Sequence, residues 1–348
     1  MKIKIYIATV LLFFSFILAS NAWSQQELVT GYYDPVNDWF VFEWDRPDYG
    51  RTTIIDDPPN KIDPVLKAYV NWDDSLKEYK YNFTISNGNK AKQLLDTIII
   101  KFFTTIYGQA APNKDWYMDE YRAGRTDTWQ WSKTRGVPSG IPPGGVEDGF
   151  SFKSKGLPSI VRMSLWGERR ARYSVPGDYD TDEIIESFSR VRKELKVQYK
   201  DKFGSIVRKT VGPKAPPTSF MPLDFLNYII SLKHESYNLG WIVQGRDDDK
   251  DKYDDEEKGI MQSLDKKLEK AKAELVKGDT KEAIEKLKSF IHQVEALYKE
   301  GKKKEEKHNK EEGHSHITSE AYALLKYNTV YLIEQLGGKV EEKEHNKD

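Results

Sequence analysis

The sequence predicts a multidomain protein, with an N-terminal all-β sandwich followed by a C-terminal all-α three-helix bundle. Three observations predict it. From Gln25 to about Gly167, short runs of aromatic and β-branched residues alternate with polar ones at a period near two. From Ile260 onward, apolar residues recur every three or four positions instead. Between the two patterns the composition changes: tryptophan is frequent up to Trp166, appears once more at Trp241 and is then absent, while Lys and Glu take over from about Lys250. The expected divisions are a signal peptide over 1–24, a sandwich over 25–167 and a connecting segment over 168–246 with helices near 181–195 and 222–236. An acidic linker over 247–258 follows, then a helical bundle over 259–338 with a disordered insert at 299–317, and a disordered tail over 339–348.

Lys2 and Lys4 precede an apolar run from Ile5 to Ala19 and a polar stretch of small residues, the layout of an export signal cut after Ala22 or Ser24. The run is shorter than the ~20 residues that span a hydrocarbon core, so cleavage is expected over anchoring. No second stretch of spanning length follows, and the expected product is a secreted chain, extracellular or periplasmic, with no membrane span after signal cleavage. Of 348 residues about 325 would remain, enough for two or three cores. There is no cysteine, which excludes lipidation on Cys, disulfides and every thiolate chemistry. The 54 Lys and Arg residues nearly cancel 55 Asp and Glu, so no sequence-wide field favours a nucleic-acid partner.

Candidate strands are Trp39 to Trp44, Val65 to Trp72, Tyr79 to Ser86, Leu95 to Phe103, Thr126 to Trp131, Gly149 to Lys153 and Ser159 to Trp166. Seven short strands of this kind fit an Ig-like sandwich. The clearest pairing is Val65–Trp72 with Tyr79–Ser86, because Asn71, Asp73, Asp74 and Ser75 supply turn chemistry between two alternating segments. In the second segment Tyr79, Tyr81, Phe83 and Ile85 share one face and Lys80, Asn82, Thr84 and Ser86 the other. Thr97 to Phe103 breaks the alternation, as a strand covered on both faces does. Gly136 to Gly145 is rich in Pro and Gly and reads as a connecting loop. Trp129 and Trp131, at i and i+2, project to one face of a strand. They form either a stacking platform for pyranose rings or, on the reading favoured here, a ridge filling the space between sheets. Asn82-Phe-Thr is a glycosylation sequon of little weight in a bacterial export setting.

In the connecting segment, Ile184, Ile185, Phe188, Val191 and Leu195 line one helical face behind a cap at Thr181 or Asp182. Gly212 to Pro217 reads as a stiff extended linker. Phe220 to His234 follows as a helix apolar nearly all round, suited to a hinge element docked between sandwich and bundle, with Leu239, Trp241 and Ile242 continuing the contact. His234 has no partner pattern and reads as a packed or surface histidine. Asp247, Asp249 and Asp251 match the first ligands of an EF-hand loop, but Lys252 stands where its turn needs glycine and Lys258 where it needs a bidentate glutamate. A solvated charge run is the better reading.

The last region holds three helices. Ile260, Leu264, Leu268, Ala271 and Leu275 mark the first, which Gly278 stops. Asp279 caps the second, with Glu282 three residues on, and Ala283, Ile284, Leu287, Phe290, Ile291, Val294, Leu297 and Tyr298 form its stripe. The third begins at Thr318 or Ser319, buries Ala321, Leu324, Leu325, Leu332 and Leu336, and ends at Gly337-Gly338. Ser263 to Leu268, Gly278 to Ile284, Phe290 to Ala296 and Ser319 to Asn328 together resemble the FIMAH domain, a helical module near the C-termini of exported bacterial proteins. The resemblance covers roughly Gly259 to Leu336, and the Pro-Leu-Asp-Phe-Leu run from Pro222 is similar to segments that accompany that module. The insert from Lys299 to Ile317 departs from the family pattern. What the resemblance implies is an accessory, non-catalytic module with no catalytic residues to carry over. Within the insert His308, His314 and His316 are a candidate transition-metal set, since neutral imidazole suits zinc, copper or nickel.

Motifs for nucleophilic hydrolases, zinc proteases, phosphate loops and dinucleotide sites are all missing from the sequence, and no cofactor is expected. The function expected is that of a secreted non-catalytic binding or structural protein, with a β-sandwich recognition domain and a helical attachment or assembly module. Its partner would be a polysaccharide or a cell-surface or extracellular protein. The alternatives are a carbohydrate-binding protein using exposed tryptophans at Trp129 and Trp131, and a glycoside hydrolase built from scattered carboxylates.

Overall fold

A computed structural model describes residues 28–46, 49–120, 127–133, 140–168, 180–243, 259–306 and 316–340. They divide into two compact units, one formed by residues up to Asn60 together with 169–204, the other by 61–168 together with 205–348.

The first unit is a three-stranded antiparallel sheet covered by a helix. Strands β1 (Val29–Asp34), β2 (Trp39–Arg46) and β3 (Gly50–Asp56) follow one another in the sheet in chain order. The β1–β2 turn is closed by the Asp34 carboxylate, which accepts from Val36 N at 2.9 Å and from the Asn37 amide at 2.7 Å, with Asp38 in the left-handed region at φ 54°. Phe40, Phe42 and Trp44 alternate along β2 and are all buried. They meet the stripe Ile184, Phe188, Val191 and Leu195 of helix α1 (Asp182–Gln198), the Phe42 and Phe188 rings lying 4.8 Å apart. Thr181 caps α1 through Ile184 N at 3.4 Å, as its sequence implies. A single turn, α2 (Lys200–Phe203), continues it and stacks Phe203 on Phe40.

The strand at Trp39–Trp44 was expected inside the sandwich and instead belongs to this unit. Alternation at period two says that one face of a strand is buried without saying against what. The helical stripe at 184–195 supplies the missing partner. Gly31 permits the approach, because a Cβ there would fall 2.4 Å from Val191 Cγ1 and 3.1 Å from Leu195 Cδ1. Gly31→Ala is expected to destabilise this unit by about 1–3 kcal/mol, the usual penalty for overpacking. Chemical denaturation followed by hydrogen exchange at the β1 and β2 amides checks it.

The second unit begins with two facing antiparallel sheets. One has the order β4 (Pro64–Asp73), β5 (Glu78–Asn87), β10 (Val146–Ser154), β7 (Tyr107–Ala110). The other runs β12 (Ile206–Lys214), β11 (Leu157–Gly167), β6 (Leu95–Lys101), β9 (Thr128–Lys133), β8 (Trp116–Glu120). Tyr81, Phe83, Phe150 and Phe152 of the first sheet meet Ile98, Ile100, Trp131, Met163 and Leu165 of the second in one buried layer. The expected β4–β5 hairpin pairs Val65 with Ser86 and Trp72 with Tyr79.

Gly212 to Lys214, expected in a linker, is the end of β12, with Gly212 opposite Ser159 and Pro213 opposite Pro158. Proline is tolerated there because β12 is an edge strand whose outer bridge to Phe103 uses Pro213 O and Ala215 N and needs no donor from Pro213. Gly212 is required by close approach, since a Cβ would sit 2.7 Å from Val161 Cγ2. In the expected loop at 136–145 the described part is pinned at Ile141, fully buried and exchanging backbone hydrogen bonds of 2.8 and 3.0 Å with Leu95.

Among the described residues four helices complete this unit: α3 (Pro222–Asn238), α4 (Gly259–Lys277), α5 (Thr280–Glu306) and α6 (Ser319–Gln335). The α4–α5 junction has the expected chemistry, with Gly278 at φ 82° and the Asp279 carboxylate accepting from Glu282 N at 3.0 Å. A bundle of three was expected, with α3 as a hinge outside it. Instead α3 packs on α4 and α6, and α5 packs on the same two helices, closing a ring of four.

The helices are not a separate domain, because α6 is buried on nearly every side and its second face lies on the sheets. There Glu320 Oε1 accepts from Ala68 N at 2.6 Å, the Tyr327 hydroxyl donates to Val70 O at 3.1 Å, and Asn328 Nδ2 donates to Pro158 O at 2.8 Å. The first two bonds cap the outer edge of β4, which would otherwise be open to pairing. The insert expected at 299–317 is shorter at both ends: α5 runs on to Glu306, and His316–Ile317 forms strand β14 paired with β13 (Ile242–Val243). Among the described residues no helix is long and apolar enough to cross a membrane.

Candidate functional site

The second unit carries a groove of about 1010 Å³ walled by the β4–β5 hairpin and α5 and floored by α6. Each wall follows from local sequence. At the hairpin tip the Asp73 carboxylate accepts from Ser75 N at 3.0 Å and Leu76 N at 3.1 Å, a tight turn that sets Trp72 opposite Tyr79 with rings 4.6 Å apart. Tyr69 and Asn71 continue that wall along β4, and Lys80 and Asn82 along β5. On α5, His292, Glu295, Tyr298, Lys299 and Lys302 fall at helical spacing on one face. On α6, Tyr322, Lys326, Val330 and Glu334 do the same. Tyr298 and Tyr322 stack at 4.2 Å, and Tyr327 lies edge-on to Tyr79 at 5.2 Å.

The charges in the groove are unevenly compensated. Glu295 is held 2.9 Å from Lys326 Nζ, which also donates to the Tyr322 hydroxyl at 3.0 Å. Burial opposes the charge on Lys326, but the bonds to Tyr322 and Glu295 outweigh it and its pKa is raised. Asp74 accepts from Lys77 Nζ at 2.6 Å and from Trp72 Nε1 at 3.4 Å, which lowers its pKa. Glu334 is shifted the other way: burial raises its pKa, and the charge of Lys77 offsets this only in part. Lys80, Lys299 and Lys302 are exposed and have no carboxylate partner among the described residues, Lys302 lying 5.1 Å from the Tyr298 ring centre.

The residues singled out in the sequence fall elsewhere. Trp131 is wholly buried between the sheets, its indole N–H donating to Ala110 O at 3.0 Å. Trp129 shares its face and packs against the same core. Trp131 therefore offers no free ring to a sugar, and Trp129 is partly buried: β9 pairs with β6 so that both indoles lie over Ile98 and Ile100, on the inner face. His308 and His314 lie outside the described residues, as do Asp247, Asp249 and Asp251. His316 sits in β14 opposite Val243. Among the described residues no cluster of three His, Asp or Glu is placed to hold a metal ion. His234 is largely exposed, with Nε2 3.8 Å from Asp265 Oδ1.

Sequence reading missed the groove although a signal for it is present. The pattern Tyr-x-x-x-Lys occurs at Tyr298/Lys302 on α5 and again at Tyr322/Lys326 on α6. Helical spacing turns each into one aromatic and one ammonium on a shared face.

Fold and groove together define a β-sandwich with helices folded onto it and an aromatic, lysine-bearing cleft at their junction. No family model matches the chain, and no curated protein does. Among solved structures, it is similar to an uncharacterized protein from Nocardia farcinica whose crystal structure reveals an immunoglobulin-like fold. That likeness has 9% sequence identity and a TM-score of 0.24, and covers 43% of this chain and 98% of the other.

Proposed function

We propose that this chain is a secreted, non-catalytic binding protein, with an Ig-like sandwich and a FIMAH-like helical module that together hold a ligand in the groove. The observation that carries the reading is the lining of that groove: Trp72, Tyr298 and Tyr322 beside Asn71, Asn82 and exposed lysines, with Asp74 and Glu295 each tied to a lysine. Aromatic faces beside amides and hydroxyls make a binding surface. Export is supported by the charged, apolar and small-residue layout of residues 1–24. The FIMAH-like reading rests on the quoted residues of α4, α5 and α6, three of the four helices in the ring, and implies an attachment or assembly role. The partner is a polysaccharide or a cell-surface or extracellular protein. The carbohydrate reading moves with the geometry, from Trp129 and Trp131 to Trp72 and the tyrosines.

A glycan array and an envelope-fraction pull-down with the mature chain test the reading. Trp72→Ala and Tyr298→Ala are each expected to weaken capture by roughly tenfold, the equivalent of about 1.4 kcal/mol. A chain that captures nothing in either format, or variants that bind as the parent does, would sink it.

The presence of Glu334 and Asp74 in the lining of one groove favours a second reading, a carboxylate glycoside hydrolase that uses this pair. Release of reducing ends from a polysaccharide, abolished by Glu334→Gln, would put this reading in place of the first.

A further inference from the structure

We propose that the ligand of the groove is an acidic polysaccharide, a chain of pyranose rings bearing carboxylate or sulfate groups; this rests on the groove being the binding site. The charge ledger of the lining points to an anion. Lys80 on the hairpin wall and Lys299 and Lys302 on the α5 wall are exposed and unpaired among the described residues, while Asp74 and Glu295 are already neutralised by Lys77 and Lys326. An ammonium on a flexible stem is a point charge that follows carboxylate or sulfate in varied positions along a polymer. Glu334 is the one other carboxylate of the lining, set against the three exposed lysines.

The shape points to a polymer. Lining residues run from Ser319 to Glu334 along α6, fifteen steps of about 1.5 Å, or roughly 22 Å. That is longer than one sugar ring. Trp72 on one wall and the stacked Tyr298–Tyr322 pair across from it put aromatic surface on both sides, and the Asn71 and Asn82 amides provide donors and acceptors for ring hydroxyls.

An acidic peptide fits less well. Peptides commonly enter such a cleft by adding a strand to a sheet edge. Here the outer edge of β4 is already bonded to α6 through Ala68 N to Glu320 and Tyr327 to Val70 O. Nucleic acid is disfavoured by the near-zero net charge of the chain, −1.

The test is affinity electrophoresis of the mature chain in gels containing polygalacturonate, its methyl ester, dextran sulfate or dextran, with poly-glutamate as a soluble competitor. Retardation is expected with polygalacturonate, dextran sulfate or both, at least about tenfold stronger than with the matched neutral polymer. Which of the two acts tells carboxylate from sulfate. The triple variant Lys80→Gln, Lys299→Gln, Lys302→Gln is expected to lose about tenfold in binding with its thermal unfolding unchanged. Equal retardation by charged and neutral polymers that Trp72→Ala still abolishes overturns the inference and leaves the groove standing. Retardation that neither Trp72→Ala nor the lysine variant weakens overturns both. Poly-glutamate competing as well as the polysaccharide, or no retardation by any polymer, also overturns the inference.

Discussion

Replacing Trp131 with alanine is expected to cost about 3–5 kcal/mol of folding stability, the range for truncating a buried tryptophan. No part of this side chain is exposed. Its ring centre lies 5.6 Å from that of Phe150 and 6.3 Å from those of Phe152 and Phe83, so truncation opens a cavity where the two sheets meet. The indole N–H also donates to Ala110 O on the short edge strand β7, a bond lost with the ring. Trp131→Phe keeps one ring in place and loses the donor and part of the volume, so it is expected to cost less than truncation, about 1–3 kcal/mol. Urea denaturation of both variants measures the difference. The same experiment tests whether sheets and helices form one cooperative unit, because the buried cluster runs without a break from Trp131 to Leu268 and Phe290. Helical ellipticity and near-ultraviolet signal of the second unit should fall together in Trp131→Ala. Helices that persist after the sheets have melted would contradict the shared core.

How far the sequence foretold this arrangement differs by element, for physical reasons. A strand lies at or across every position where alternation predicted one, and the Asp279 cap formed as its local chemistry requires, because turns, caps and periodicity are decided within a few residues. What the periodicity leaves open is the partner of each buried face. Phe40, Phe42 and Trp44 read the same whether they face a second sheet or α1. Gly212 and Pro213 carry linker chemistry but sit on an edge strand, where a missing amide donor does no harm. The third predicted helix was credited with one stripe, Ala321, Leu324, Leu325, Leu332 and Leu336. Ala323, Tyr327 and Asn328 on its other side were the clue that it is enclosed. The groove escaped because its lysines and tyrosines look like ordinary surface until α5, α6 and the hairpin are brought together. Trp129 and Trp131 share one face by their i, i+2 spacing, a pattern that a core ridge and a stacking platform have in common.

Asp265→Ala is expected to destabilise the second unit by about 3 kcal/mol, whereas Lys233→Met is expected to be neutral within about 1 kcal/mol. Lys233 projects from α3 with no exposed surface and its ammonium is bonded to Asp265 of α4. Removing the aspartate strands a charge among Ile229, Leu232 and the α4 stripe, where water cannot reach it. Replacing the lysine with methionine removes the charge and keeps the length and packing of the stem. The carboxylate it leaves behind is 30% exposed and can be solvated, which makes the effect of the two substitutions unequal. The double variant should recover most of the stability lost in Asp265→Ala, and a double-mutant cycle in urea reads the coupling directly. His234 Nε2, 3.8 Å from the same carboxylate, does not replace Lys233, being largely exposed itself. The asymmetry follows only if α3 is a packed member of the four-helix ring. A hinge helix held loosely beside the bundle would let Lys233 swing into solvent, and Asp265→Ala would then cost no more than an exposed ion pair, under about 1 kcal/mol.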